Sequence, residues 1–344
     1  MLLNETKLVA AGVGMPWRDS RSGAAACFSE DQLEDRTTVM SDYHIPVLLS
    51  EVMDFMAPAE GRVIVDGTLG GGGHTEAMLQ AGAHVYGVDQ DSQAHEYARE
   101  RLQPFGDKFT PLRGNFSTLP SLLAEQGVEQ VDGILVDIGV SSWQLDEADR
   151  GFSFGKDGPL DMRMDRTTGK TAADLVNGCS EQELKKMFSE YGEERASGKM
   201  ARCIVEQREK KPFVTTLDLA DFICSIIPRG GKIHPATRIF QALRIAVNDE
   251  LGVLREFLEN AVTLLRPGGR LVVITFHSLE DRIVKQFLKN ASVAELDRKE
   301  WPAPRPNPDF HFKLLTRRPM VATGDEIKRN KRSRSAKLRA AEKI

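Results

Sequence analysis

One stretch limits the folds open to this chain more than any other: Val63-Ile-Val-Asp-Gly-Thr-Leu-Gly-Gly-Gly-Gly-His74. The apolar run 63–65 reads as a buried parallel strand ending at Asp66. The glycine block 70–73 then leads into the helix-forming run Thr75-Glu-Ala-Met-Leu79. A strand–glycine–helix unit lets backbone approach a ligand where a side chain would block it, with helix N–H groups facing that ligand. A second apolar run follows, His84-Val-Tyr-Gly-Val-Asp89, also closed by a carboxylate. An acid at that point is placed to accept hydrogen bonds from the two hydroxyls of a ribose. Together these features describe an adenosine-containing cofactor site rather than a bare glycine turn. Asp66 discriminates between cofactors. A carboxylate at the first strand end would repel a pyrophosphate and suits a cationic group, such as the amino-acid part of S-adenosylmethionine. The pattern favours that methyl donor over NAD, whose fold prefers G-x-G-x-x-G.

The alternation continues beyond Asp89. Ser92 is placed to cap a helix running to Leu102, residues 108–113 form a short strand, and Gly114-Asn-Phe116 follows it. Residues 117–126 have helical character, and Val131-Asp-Gly-Ile-Leu-Val-Asp137 is a fourth buried strand. Repeated β-α units predict an α/β fold with a doubly wound, largely parallel sheet. Ligands of such sheets sit beyond the C-terminal strand ends, where Asp66, Asp89, Phe116 and Asp137 all fall.

For about a hundred residues the alternation then stops. Residues 146–166 form a loop rich in Gly, Asp, Arg and Met, and helices follow over 172–177, from a Ser180/Glu183 capping box to Tyr191, over 195–210 and over 216–227. Basic residues recur here, among them Arg195, Lys199, Arg229, Lys232 and Arg238. A helical insertion after the fourth strand suits substrate recognition, and equally a solvated helical bundle. The expected division is thus a cofactor domain from 40–145 and 246–344, with an inserted helical domain at 146–245. A single long helix is expected near 242–265, ending in Arg266-Pro-Gly-Gly269. Residues 269–277 form the fifth strand, and Ser278 and Asp281 stand at capping-box spacing. A short strand is expected in 310–316. The basic run 328–343 reads as a solvated end or as an RNA-phosphate contact.

Composition narrows the class. Net charge is −4, so any nucleic-acid contact must be local rather than a property of the whole surface. Cys27, Cys179, Cys203 and Cys224 show no metal-ligand spacing and read as reduced thiols of a cytoplasmic protein, and no metal site is indicated. No apolar run approaches the length of a membrane span. Residues 1–39 lack periodicity and are expected to be a disordered extension, with a natural beginning at Met40.

Several motifs together resemble the RsmH (MraW) family of bacterial 16S rRNA methyltransferases. They are His44-Ile-Pro-Val-Leu-Leu, Asp66-Gly-Thr-Leu-Gly-Gly-Gly-Gly-His74, Asp137-Ile-Gly-Val-Ser-Ser-Trp-Gln144, Arg150-Gly-Phe-Ser-Phe, Gly158-Pro-Leu-Asp-Met-Arg-Met-Asp165, Tyr191-Gly-Glu-Glu-Arg195, His234-Pro-Ala-Thr-Arg238 and Phe276-His-Ser-Leu-Glu-Asp-Arg282. The resemblance runs in order over about residues 43–344, and the octapeptide at 158–165 is its most specific part. It implies a Rossmann-like class I methyltransferase with a helical insertion. The implied activity is S-adenosylmethionine-dependent N4-methylation of a cytidine near the decoding centre of the small ribosomal subunit. The donor contacts it implies are Gly72, Gly73 and His74 around the methionine part, Asp89 on the ribose, Phe116 near the adenine, and Asp137 and Gln144 after the fourth strand. Trp143 departs from the proline frequent in relatives but leaves Ser141, Ser142 and Gln144 in register.

A cytosine amino group is a poor nucleophile, so an acceptor for its protons is expected beside it. Asp137 with Ser141 or Ser142 is the expected set, and a purely donor-binding Asp137 is the equal alternative. Arg163, Arg195 and Arg238 are candidate phosphate contacts, with an internal ion pair favoured for Arg163 beside Asp161 and Asp165. His277 either lines the pocket or is a satisfied core histidine. Two other classes stay open. A small-molecule or protein methyltransferase needs no basic recognition surface, and a non-catalytic RNA-binding protein needs no donor site.

Overall fold

The computed structural model describes residues 46–227, 234–297 and 299–344. The expectation for residues 1–39 therefore lies outside the described residues, as do Arg229 and Lys232. The described residues belong to one compact unit.

Its centre is a seven-stranded sheet. Strands β1 (Val63–Asp66), β2 (His84–Asp89), β3 (Phe109–Arg113), β4 (Val131–Asp137) and β5 (Leu265–Thr275) pair in parallel, in the order β3-β2-β1-β4-β5. A two-residue ribbon, β6 (Glu295–Leu296) with β7 (Arg305–Pro306), stands apart from it. The chain then adds β8 (Phe312–Leu314) and β9 (Lys337–Lys343), with β9 antiparallel between β5 and β8. Both faces are covered, so the strands are apolar on both sides of the pleat. Val65, Val88 and Val136 pack on one face with Leu254, Phe257 and Val284, while Ile64, Val85 and Leu135 pack on the other with Met56, Met78 and Leu102. One-residue alternation along each strand thus feeds two cores.

The helices that position the cleft are α1 (Leu49–Met56), α2 (Gly73–Gln80), α3 (Ser92–Leu102), α4 (Leu119–Glu125) and α5 (Ser142–Asp146). After the 146–166 loop come α6 (Ala172–Gly178), α7 (Glu181–Glu190), α8 (Ser197–Arg208) and α9 (Thr216–Ile226). These share a core of their own, centred on Phe188, Met200, Ile204, Leu219 and Ile223. The Ser180–Glu183 capping box forms as expected. No helix among the described residues is long and apolar enough to cross a membrane.

Three expectations are corrected. The long helix near 242–265 is two helices, α10 (Ala236–Asn248) and α11 (Glu250–Leu264), broken at Asp249, whose φ of 45° is left-handed. The break is held by Asn248, whose Nδ2 donates to Met162 O at 2.8 Å while its Oδ1 accepts the Met164 N–H at 2.8 Å. These contacts tie the helix joint to the 146–166 loop. Second, two caps sit one residue early. Asp91, not Ser92, caps α3, and His277, not Ser278, caps α12 (Ser278–Ala291) in a capping box with Glu280. Third, the basic C-terminal run does not behave as one segment. Its last part is β9, with Leu338, Ala340 and Ala341 fully buried.

Candidate active site

The parallel strands bring three carboxylates to one edge of the sheet, and a cleft enclosing about 1210 Å³ of space open to solvent lies there. Glycine backbone (Gly67, Gly70, Gly71 and Gly73) forms one wall. Asp89, Asn115 and Phe116 form another, and Asp137, Ser141 and Gln144 close the third. This is the topological position where open α/β sheets take ligands.

The glycine loop is shaped by what lies behind it. Gly72 has a φ of 76°, and a Cβ there would stand 3.0 Å from Leu102 Cδ1, so any side chain would be both strained and crowded. Gly72 therefore serves the packing of the loop on α3 and does not line the cleft. Asp66 also sits behind the wall. Its Oδ1 accepts the Thr68 N–H at 3.2 Å and its Oδ2 accepts the Thr75 hydroxyl at 2.7 Å, pinning the start of the loop to the first turn of α2. Burial pushes the Asp66 carboxyl up to about 6 against these hydrogen bonds. Asp66 and Gly72, both expected at the donor, thus stand behind the cleft wall, while Gly73 and His74 line the cleft. His74 Nε2 donates to Val47 O at 2.9 Å, and burial holds its imidazole down to about 4, so it is neutral at physiological pH.

Asp89 faces the cleft with two backbone amides already in place. Gly70 N–H reaches its Oδ2 at 2.8 Å and Asp91 N–H its Oδ1 at 2.9 Å. Each oxygen keeps a lone pair for a hydroxyl, which is what a ribose diol requires. Burial, the largest influence, raises this carboxyl to about 6. Phe116 lies three residues beyond β3 with its ring edge-on to Phe257 at 5.4 Å, a flat apolar wall suited to an aromatic base.

At the third wall the Asp137 N–H donates to Thr68 Oγ1 at 2.6 Å. Its Oδ1 is shut off from solvent and has no hydrogen-bond partner. Burial first, then the charges of Asp66 and Glu280, raise this carboxyl well above the usual range. A buried acceptor left without a partner costs about 1–3 kcal/mol, so the fold carries this group at a penalty that a ligand can relieve. Ser141 caps α5, its Oγ accepting the Gln144 N–H at 3.2 Å, and Ser142 is the first residue of that helix. Gln144 Nε2 in turn donates to Asp91 Oδ2 at 2.9 Å.

Behind Gln144 lies a node that the sequence shows only as the start of a motif, without a role. Arg150, 2% exposed, reaches Asp91 Oδ2 at 2.5 Å and donates to the carbonyls of Arg163 and Met164 at 3.1 and 3.0 Å. It fastens the 146–166 loop to the N-terminus of α3, so that Met164 can line the cleft. Asn248, Glu250, Phe276 and Arg332 also line it and were missed. Arg332 had a signal as part of the basic run, and Phe276, which follows β5, as the first residue of a quoted motif; Asn248 and Glu250 flank the break between α10 and α11 at Asp249.

The expected RNA-contacting residues do not line the cleft. Arg163 donates to both oxygens of Asp161, at 2.7 and 3.0 Å, as the favoured reading had it. Arg238 stands 3.6 Å from Glu194 on a half-exposed surface, and Arg195 is exposed. His277 caps α12, its Nδ1 accepting the Glu280 N–H at 3.5 Å, while its Nε2 stands 2.8 Å from Glu280 Oε1 without a hydrogen bond between them. Glu250, His277 and Glu280 bring one ligand atom each within 4.8 Å of one another. The cation these carboxylates face is Arg244, which makes two 2.8 Å hydrogen bonds to Glu250 and lies 3.9 Å from Glu280.

Comparison with known proteins bears on this cleft. Three relatives are each named ribosomal RNA small subunit methyltransferase H. The protein of Deinococcus deserti is 53% identical over 90% of this chain and 97% of its own length. That of Geobacter sulfurreducens is 52% identical over 89% and 100%, and that of Carboxydothermus hydrogenoformans 50% identical over 88% and 98%. The model of the MraW methylase family matches residues 41–344. A match of that extent, over all the elements that build the cleft, means that the chain belongs to the MraW methylase family.

Proposed function

We propose that this methylase transfers a methyl group from S-adenosylmethionine to the exocyclic N4 of a cytidine in 16S rRNA near the decoding centre, acting on the small ribosomal subunit in the cytoplasm. The observation that carries the reading is Asp137, a buried carboxylate oxygen without a partner in a cleft otherwise walled by glycine backbone and Asp89. The names of the relatives, which this chain matches over nearly their whole length, support RNA as the acceptor class.

The methyl donor is S-adenosylmethionine, and the residues present fit it. Asp89 offers two lone pairs to a diol, Phe116 a flat wall to an adenine, and the glycine backbone room for the amino-acid part. Bound there, the donor supplies an electrophilic methyl carbon attached to a positively charged sulfur. The chain's own task is placement and proton handling. Burial and its acidic neighbours favour the protonated form of Asp137 in the donor-free protein. A cation arriving in the cleft reverses that balance and favours the ionised carboxylate. Asp137 Oδ1 can then accept a hydrogen bond from the cytosine amino group, localise its lone pair and take the proton lost when the N–C bond forms. Ser141 keeps its hydroxyl proton free to orient the same base, with Ser142 beside it.

A base within a folded RNA must leave its stack to enter such a cleft. Residues 146–245 are the recognition part in this reading, with Arg195 and Arg238 on phosphates and Arg163 and His277 holding the surrounding loop and helix. The experiment is a paired measurement on Asp137→Asn. The reading predicts donor affinity within about fivefold of the parent and turnover on small subunits lower by a factor on the order of 10² or more. Loss of affinity and turnover in equal proportion would leave Asp137 as a donor-binding residue only. Transfer to free metabolites or proteins but not to ribosomal subunits would replace the acceptor class.

A further inference from the structure

The basic run that ends the sequence is divided in two by the fold. Lys337 and Arg339 belong to β9 and both pair with Asp281, at 3.4 and 2.8 Å. The stretch before it, 328–334, carries Lys328, Arg329, Lys331, Arg332 and Arg334, five cations in seven positions of a chain whose net charge is −4. Of these, Lys328, Arg329, Lys331 and Arg334 are exposed, with Lys328 2.8 Å from Asp325.

This stretch is built, not loose. Helix α13 (Gly324–Arg329) begins at a Thr323 cap, and Glu326 within it accepts the Leu48 N–H at 2.8 Å. Asn330 caps the short 3-10 turn Lys331–Ser335, and the fully buried Ser333 donates to Asn330 O at 2.7 Å. Leu48 follows Pro46 and Val47, which line the cleft, and Arg332 lines it too. Arg332 also reaches across to both carboxylate oxygens of Asp146, at 3.0 Å, where α5 ends beyond Gln144. The side chains of that pair are 34% and 69% exposed, so water screens it and a phosphate can take the place of Asp146.

We propose that residues 328–334 form a phosphate clamp, gripping the RNA strand whose target base enters the cleft beside it; the proposal rests on the reading of this protein as an RNA methylase. Cations fixed at the rim of a reaction cleft by buried anchors lose little freedom on binding, and they stand where the backbone flanking an inserted base must pass. The clamp reads no sequence. It supplies affinity and register, and its contribution falls as salt rises.

The test is the double variant K331A/R334A, compared with the parent in methyl transfer to small ribosomal subunits over a series of salt concentrations. Donor binding is measured separately by calorimetry. The proposal predicts donor affinity within twofold of the parent and a KM for subunits raised roughly tenfold at moderate salt. It also predicts a dependence of log affinity on log salt shallower by about 1.4, two contacts at ~0.7 each for a single strand. The charge-keeping variant K331R/R334K should restore KM. An unchanged KM and salt slope, with the parent active on subunits, would show a merely solvated surface and overturn the clamp alone. A parent that binds donor but does not methylate subunits would overturn the RNA reading and the clamp with it.

Discussion

At the residue scale, the cleft is organised by carboxyl groups whose burial is out of balance with their charge. Asp66 and Asp89 both stand near 6 in the donor-free protein. Because these folded-state values lie above the ordinary 3.8, the stabilising contribution is complete below about 3.8 and is lost as pH rises through about 6. Donor binding has the opposite preference, since hydroxyls donate to an ionised Asp89. Donor affinity should therefore strengthen as pH rises from 5 to 7 and level off above, which calorimetry at fixed salt would read. Asp89→Asn should weaken the donor by roughly 1.5–3 kcal/mol, the usual worth of hydrogen bonds to a charged group, and flatten that profile. An affinity independent of pH in the parent would remove Asp89 from the ribose contact. Places at the cleft were legible near strand ends, as for Asp89, Phe116 and Asp137. Asp66 and Gly72 lie behind the cleft wall instead, because sequence order does not say which side of a glycine loop faces the cleft and which faces the helices.

At the scale of elements, the parallel strands and the capping box at Ser180 were readable, because apolar runs and cap spacing are local signals. The break between α10 and α11 was not. Its causes are the hydrogen bonds of Asn248 to Met162 and Met164, more than eighty positions away in the chain. The 146–166 loop depends likewise on Arg150, whose ion pair with Asp91 joins distant segments. Removing one partner of a buried pair strands the other, so Arg150→Ala should destabilise the fold by about 3–5 kcal/mol in a denaturant titration. A loss below about 1 kcal/mol would mean that the loop is held by other contacts. The same loop needs Gly158, where a Cβ would stand 2.0 Å from the carbonyl oxygen of Ala148. Gly158→Ala should lower activity by displacing Met164 from the cleft wall, with the donor still bound.

At the scale of the whole molecule, the end of the chain is part of the sheet. Strand β9 is hydrogen-bonded to β5 on one side and β8 on the other. Its alternation of Lys, Leu, Arg and Ala hid this from the sequence, where charge suggested a tail. Deleting residues 337–344 should give an insoluble or unfolded protein, because it leaves two unpaired strand edges and uncovers the apolar face beneath Leu338. A deletion variant with the parent's melting temperature would contradict the topology. The glycine wall of the cleft, Met164 of the 146–166 loop and Arg332 of the basic stretch thus meet at one sheet edge.

The central claim is the acceptor atom. Small ribosomal subunits from a strain lacking this gene, incubated with the protein and labelled S-adenosylmethionine, should carry label that nucleoside analysis by mass spectrometry places in N4-methylcytidine. Label in any other nucleoside, or donor binding without label in RNA, would contradict it.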